Sequence, residues 1–252
     1  MKPLRNGETR MSSTQPTISE QKSFWDWHWQ HWQDRRTVNE WKQRRHEKVL
    51  SFVKSVAVGR PLILDVGCGP GWYSDKLAAF GQVTGIDLSE EAISMARTRF
   101  PHVSFIAGNI YQHAFPAGHF DIVVSQEVID HVEDSALFVD RIADVLRPGG
   151  YLIVSSTNKF VMDRLSERES PTQPGSHIGR YFDTKTIKLL LQRRFRLLKL
   201  ETIVPMGHGG ILRIINSQKL NSLLAKATSH DYLARLKERA GLGYQIVTLA
   251  QK

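Results

Sequence analysis

The 252-residue chain has a single cysteine, Cys68, so it cannot form an internal disulfide, which fits a reducing compartment. No apolar run approaches the roughly 20 residues of a membrane-spanning helix. The N-terminus carries a few basic residues with no apolar stretch behind them, so a secretory signal is not expected. No internal repeat stands out. The net charge is +9, yet no Lys/Arg run is long enough to form a nucleic-acid-binding tail, and no specific nucleic-acid partner is expected. Hydrophobic residues at 41% and charged residues at 23% are ordinary for a globular domain, and the length suits one α/β domain with a large core. The expected location is the cytoplasm.

The chain divides into three parts. Residues 1–20 are polar and read as a disordered extension, with Met11 a second possible start. Residues 21–58 read as a helical cap. Trp25, Trp27 and Trp29 alternate as in a strand, but Trp25, Trp29 and Trp32 fall at helical spacing, and Glu40–Lys48 is rich in helix formers. Helices are therefore expected through Phe24–Val56, with a break near Asp34–Asn39. This cap can be an aromatic lid over a ligand or ordinary core packing.

From residue 59 onward strands and helices alternate. Strands are expected at Leu62–Val66, Gln82–Asp87, Val103–Ala107, Asp121–Ser125, Tyr151–Ser155, Phe195–Val204 and Tyr244–Ala250. Helices are expected at Tyr73–Phe80, Glu90–Arg99 (capped by Ser89), Ser135–Leu146, Val161–Arg168 and Thr184–Arg193, with one helical insert over Ser217–Arg239. Arg147-Pro148-Gly149-Gly150 reads as a turn before a buried strand. Such alternation specifies a mainly parallel sheet with helices on both faces.

The most informative stretch is Leu62-Ile63-Leu64-Asp65-Val66-Gly67-Cys68-Gly69-Pro70-Gly71, an apolar strand ending in a glycine-rich turn that opens a helix. That order builds a nucleotide-cofactor pocket at the carboxyl end of a parallel sheet. Gly67 and Gly69 permit positive φ and close approach of a ligand, and Gly71 lets the next helix pack closely. The spacing differs from Gly-x-Gly-x-x-Gly. Asp65, placed before the first glycine, would repel a pyrophosphate but suit a cofactor carrying an amine and a sulfonium. The small side chain of Cys68 in this turn explains its presence better than nucleophilic chemistry does. Asp87, ending the next strand, can accept from both ribose hydroxyls.

The run Asp65–Gly71 resembles the first motif of class I S-adenosylmethionine (SAM) dependent methyltransferases. Thr84–Leu88, Phe120–Ser125 and Leu146–Val154 resemble the later motifs in the same order, so the likeness covers roughly residues 62–156. It implies a seven-stranded Rossmann-like sheet, order 3-2-1-4-5-7-6, with the last strand antiparallel and acceptor-site insertions at about 157–182 and 205–242. It implies SAM as cofactor, held by Asp65, Gly67, Cys68, Gly69, Gly71, Asp87, Leu88, Asn109, Ile110 and Gln126. Asn109 stands where the family commonly has an acid for the adenine amino group, and its amide oxygen still accepts.

Gln126-Glu127-Val128-Ile129-Asp130-His131 resembles a segment of the ubiquinone-biosynthesis O-methyltransferases. The likeness implies methyl transfer to a small-molecule acceptor, expected at oxygen. It also makes Glu127, Asp130 and His131 the ligands if a divalent metal takes part, against a plain helical i, i+4 pair of Glu127 and His131. His131 is the first general-base candidate, and His177, in a His-x-x-x-Tyr string seen in many small-molecule and glycan methyltransferases, is the second. Arg180, Tyr181 and Trp29 are the acceptor-binding candidates. N- or C-methylation, a glycan or lipid-linked acceptor, and a non-catalytic SAM-binding scaffold are the alternatives. The basic stretch Lys185–Lys199 marks a peripheral contact with anionic membrane.

Overall fold

The computed structural model describes residues 17–31, 40–165, 179–207, 209–225 and 228–252. His177, the Asp34–Asn39 break and residues 1–16 lie outside them.

Seven strands form one sheet in the order β3-β2-β1-β4-β5-β7-β6. They are β1 (Leu62–Val66), β2 (Gln82–Asp87), β3 (Ser104–Ala107), β4 (Phe120–Gln126), β5 (Leu146–Thr157), β6 (Arg196–Pro205) and β7 (Gly243–Gln251). The pairings β1–β2, β1–β4, β2–β3 and β4–β5 are parallel, whereas β7 runs antiparallel between β5 and β6. The expected strand order is the observed one.

The period-2 alternation of the central strands sorts the core into two layers. Leu64, Val66, Val123, Leu152 and Val154 point to one side, against Phe138, Val139 and Ile142 of helix α5 (Ser135–Val145) and Ile187 of α7 (Thr184–Leu191). Ile63, Ile122, Val124 and Ile153 point to the other. There they meet Val49, Phe52 and Val53 of α2 (Glu40–Val56), Leu77 of α3 (Trp72–Leu77) and Ile93 of α4 (Glu90–Arg99). Each such fully buried aliphatic side chain contributes about 1.5–3 kcal/mol.

Several elements depart from the sequence reading. Helix α1 (Ile18–Gln30) begins inside the stretch expected to be disordered, because Thr17 and Glu20 form a capping box: the Thr17 side chain accepts from the Glu20 amide and the Glu20 carboxylate accepts from the Thr17 amide. Trp25, Trp27 and Trp29 lie in α1, helical as expected, with Trp27 on the outer face at 53% exposed, and Trp32 lies outside the described residues. Helix α3 stops at Leu77, where the Phe80 amide turns back to the Leu77 carbonyl. Arg147–Gly150 is no separate turn. It lies within β5 as a bulge between the Phe120–Leu146 and Ile122–Tyr151 pairs, with Gly149 at φ +75°. Helix α6 covers only Lys159–Met162. The insert before β7 is helical, as expected, but starts earlier than Ser217: it holds α8 (Ile211–Ile215), α9 (Gln218–Ala225) and α10 (His230–Arg239).

Candidate SAM and acceptor site

The carboxyl ends of β1, β2, β4 and β5 converge on a cavity of about 470 Å³, ordinary for a small-molecule site. Its floor is the β1–α3 loop. Gly67 adopts φ +72° and Gly69 φ +50°, which glycine takes without a Cβ penalty. A Cβ on Gly67 would sit 2.1 Å from Val128 Cγ2, so the loop can approach the β4 loop only as glycine.

Asp87 closes β2 and clamps that floor. One carboxylate oxygen accepts from the Gly69 amide at 2.8 Å and the other from the Ser89 amide at 2.9 Å. An ionised carboxylate offers about four lone-pair sites, so both oxygens keep capacity toward the cavity. Burial raises its pKa, the Ser89 and Gly69 amides hold it down, and the Asp26 carboxylate adds to the rise. Next along the wall come Leu88, Gly108, Asn109 and Ile110. The Asn109 side-chain oxygen accepts from the Tyr111 amide, and its buried Nδ2 has no partner within the protein.

Helix α1 forms the roof. Gln21, Phe24, Trp25, His28 and Trp29 line the cavity, and they fall at i, i+3, i+4, i+7 and i+8, one face of the helix. The helix is tied down by Asp26, which accepts from Ser89 Oγ at 2.6 Å and from Lys22 Nζ at 3.0 Å. The Trp29 ring lies on Gly69, where a Cβ would meet it at 3.0 Å. The Trp25 ring meets His131 edge-on with centroids 5.3 Å apart. His28 stands among Phe24, Trp25 and Trp29, and burial, with Lys42 nearby, lowers its pKa, which favours the neutral imidazole.

The far end is polar and centred on Glu127. Its backbone is held at φ +58°, rare for a non-glycine residue. Its carboxylate accepts from Ser155 Oγ at 2.9 Å, Thr157 Oγ1 at 3.2 Å and Gln245 Nε2 at 3.0 Å, and Arg45 Nη1 lies 3.6 Å away. Arg45 is 8% exposed, and its Nε has no partner within the protein. Trp41, Lys42, Thr157, Tyr181 and Tyr244 complete this end.

Residues 64–154 match the protein family described as a methyltransferase domain. Over that stretch the chain is similar to SAM-dependent methyltransferases. A "Probable S-adenosylmethionine-dependent methyltransferase" of Mycolicibacterium smegmatis is 36% identical over 132 residues, 52% of this chain and 50% of that protein. A "Ubiquinone biosynthesis O-methyltransferase" of Aromatoleum aromaticum is 42% identical over 107 residues, 38% of this chain and 44% of that protein. The chain thus spans about half the length of the curated relatives it matches. In fold it resembles the N-methyltransferase NodS from Bradyrhizobium japonicum, solved with S-adenosyl-L-homocysteine. The TM-score is 0.62 at 19% identity, covering 92% of this chain and 98% of that one.

The cavity has a donor set that fits SAM, the cofactor in the names of those relatives. The Asp87 carboxylate suits ribose hydroxyls and the orphaned Asn109 amide suits a ring nitrogen. The unpartnered Arg45 Nε suits a carboxylate. Gly67, Gly69, Asp87, Leu88, Asn109, Ile110 and Gln126 all line the cavity, as do Trp29, Tyr181 and His131.

Three residues expected at the cofactor do not line the cavity. Asp65 is 2% exposed and accepts from Ser74 Oγ at 2.6 Å, so its role is to fasten β1 to α3. Cys68 is turned into the core, where burial raises its thiol pKa and leaves it inert as a nucleophile. Gly71 packs on Phe105 and Ala96, and a Cβ there would meet Phe105 Cζ at 2.7 Å. Arg180 does not line the cavity either. Its amide donates to the Asp130 carbonyl and its guanidinium to the Glu133 carbonyl, so it positions its neighbour Tyr181.

Glu127, Asp130 and His131, named as ligands only if a metal takes part, are not assembled as a triad, and no such group occurs among the described residues. Ile129–His131 is a 3₁₀ turn rather than a stretch of α-helix, so the i, i+4 pairing of Glu127 with His131 fails as well. Asp130 is buried on Ser156 Oγ (2.6 Å) and the Thr157 amide (2.9 Å), whereas His131 packs on Trp25. Sequence reasoning missed His28, Trp41, Lys42, Arg45, Thr157 and Tyr244. The i+3 position from Trp25, on the same helical face, would have found His28. The others have no local signal.

Asp65 makes stability depend on pH. Burial pushes its pKa up to about 7, against the Ser74 bond and with help from Asp87. A carboxyl whose folded pKa is raised binds its proton better in the native state, so stability is lost as pH climbs from about 4 to about 7. Asp65→Asn keeps an acceptor for Ser74 without the charge. Its unfolding midpoint relative to the parent should therefore be higher at pH 8 than at pH 5, as thermal melts at the two pH values will show. An equal difference at both would remove Asp65 as the cause.

Proposed function

We propose that this protein transfers the SAM methyl group to an oxygen of a small-molecule acceptor. The observation that carries the reading is one cavity with two unlike ends. At one end are the glycine loop, Asp87 and Asn109. At the other, the imidazoles of His28 and His131 stand with Tyr181 and Thr157 beside the charged Glu127–Arg45 pair. The name of the Aromatoleum aromaticum relative supports oxygen as the atom methylated.

The bound cofactor supplies an electrophilic methyl on a sulfonium. The rest is positioning and proton removal. Asp87 holds the ribose and Arg45 the carboxylate of the aminoacyl end, while α1 excludes water from above. His131 takes the hydroxyl proton of the acceptor, because an imidazole ionises near neutral pH. Tyr181, placed by the Arg180 tethers, orients the acceptor.

The test is calorimetric titration with SAM and NAD, followed by transfer from methyl-labelled SAM to a panel of phenols, alcohols and amines. Binding of SAM but not NAD, label on a hydroxyl acceptor, and a His131→Ala variant that loses turnover while keeping SAM affinity are the expected results. Label on amines alone would replace oxygen by nitrogen. SAM binding without transfer to any acceptor would favour a scaffold.

A further inference from the structure

Among its described residues, the insert between β6 and β7 contributes no side chain to the cavity, yet it is firmly built onto the domain. On its inner side, the Glu238 carboxylate of α10 accepts from Arg44 Nη2 at 2.6 Å and from the Val204 amide at 3.1 Å. Leu212 of α8 is fully buried with Val161 and Tyr244. Lys237 Nζ donates to Asn216 Oδ1 at 3.1 Å, which joins α10 to the end of α8.

The outer side has a different character. On α8, Ile211 is 56% and Ile214 66% exposed. On α10, Tyr232 and Leu236 are 51% and 43% exposed. Arg235 and Arg239 are also exposed and continue the same stripe at i+3 and i+7 from Tyr232. Isolated exposed apolar residues are ordinary, but pairs of them on two helices of one small insert, interleaved with arginines, are not. Residues 206–242 contain six Lys/Arg against two Asp/Glu.

We propose that this outer face of α8 and α10 docks on an anionic phospholipid bilayer. An amphipathic surface with large apolar side chains amid Lys/Arg lies in the interface plane, its apolar part among the acyl chains and its cations at the headgroups. A second copy of the same face would set cation against cation. A nucleic acid would use the arginines and leave the isoleucines in water. No described helix is long and apolar enough to cross a membrane, so the contact is peripheral. The surface is distinct from the one expected from the sequence at Lys185–Lys199, where Leu189 and Leu198 are also exposed. There Arg194 is paired with Asp140 and Asp144, Arg193 lies 3.9 Å from Asp140, and Lys199 sits over Phe52. Because Leu212 packs against Tyr244, a wall of the cavity, docking brings that wall close to the lipid. The proposal does not depend on which atom is methylated.

The test is co-sedimentation of the full chain with vesicles of phosphatidylcholine alone and with about one third phosphatidylglycerol. The protein should bind the second and not the first, less so at high salt. The pair Ile214→Ser with Leu236→Ser, and separately Arg235→Glu with Arg239→Glu, should each lower the partition coefficient by roughly tenfold or more. SAM affinity and melting midpoint should stay unchanged. Absence of binding to the anionic vesicles, or binding that survives either pair, would overturn the proposal. So would a dimer by light scattering that the Ser pair dissociates, since the face would then be a self-association surface.

Discussion

Replacing Asp87 with alanine is expected to weaken SAM binding about 100-fold or more. The carboxylate offers a charged acceptor on each oxygen, and each hydrogen bond to a charged group is worth about 1.5–3 kcal/mol. Losing two amounts to about 3 kcal/mol, or roughly a hundredfold in Kd. The same substitution frees the Gly69 amide, so the loop loses the clamp that holds the cavity floor against β2. Asp87→Asn keeps one oxygen and should fall between parent and Ala. Calorimetry on the three proteins checks the order. An Asp87→Ala variant with parental affinity would mean that the ribose is held elsewhere.

The second large effect is expected at Glu127. Its alanine variant strands the Arg45 guanidinium, two hydroxyls and the amide of Gln245, which is fully buried. Glu127 is only partly buried, and leaving such partners unsatisfied costs about 1–3 kcal/mol. Glycine at 127 loses the same contacts but adopts φ +58° without the Cβ clash, worth about 1–2 kcal/mol. Glu127→Gly should therefore be the more stable of the two variants, the reverse of the usual order. Urea unfolding of parent, Ala and Gly proteins measures both quantities. Alanine equal to parent would dismiss the network, and alanine above glycine would dismiss the backbone strain.

Which parts of this were legible beforehand depends on how local their cause is. The Gln82–Asp87 strand and the Glu90–Arg99 helix stand at the expected residues, because β-branched alternation and a serine cap are written within a few positions. The start of α1 was equally legible in Thr17-Ile18-Ser19-Glu20, but the polar composition around it hid the capping box. The glycine loop and Asp87 could be assigned because one βα unit separates them. Asp65 was misread for want of three-dimensional context: its charge suits the cofactor, but the pleat turns it toward Ser74. Glu127 and Gln245 are 118 residues apart and meet only through the antiparallel insertion of β7 beside β5. No window along the chain contains that contact, nor the one between Arg45 and Glu127.

Helix α1 touches the β1 loop through Trp29 and the β4 turn through Trp25, four residues apart on one rigid rod. Any shift of the rod that one ligand selects is felt by the other. Where a ligand at one end shifts the rod, occupancy at the two ends would be linked, and such a linkage is reciprocal: a cofactor that improves acceptor affinity by some factor is itself held tighter by that factor once the acceptor is in place. A single helical roof would then make two adjacent subsites a cooperative pair.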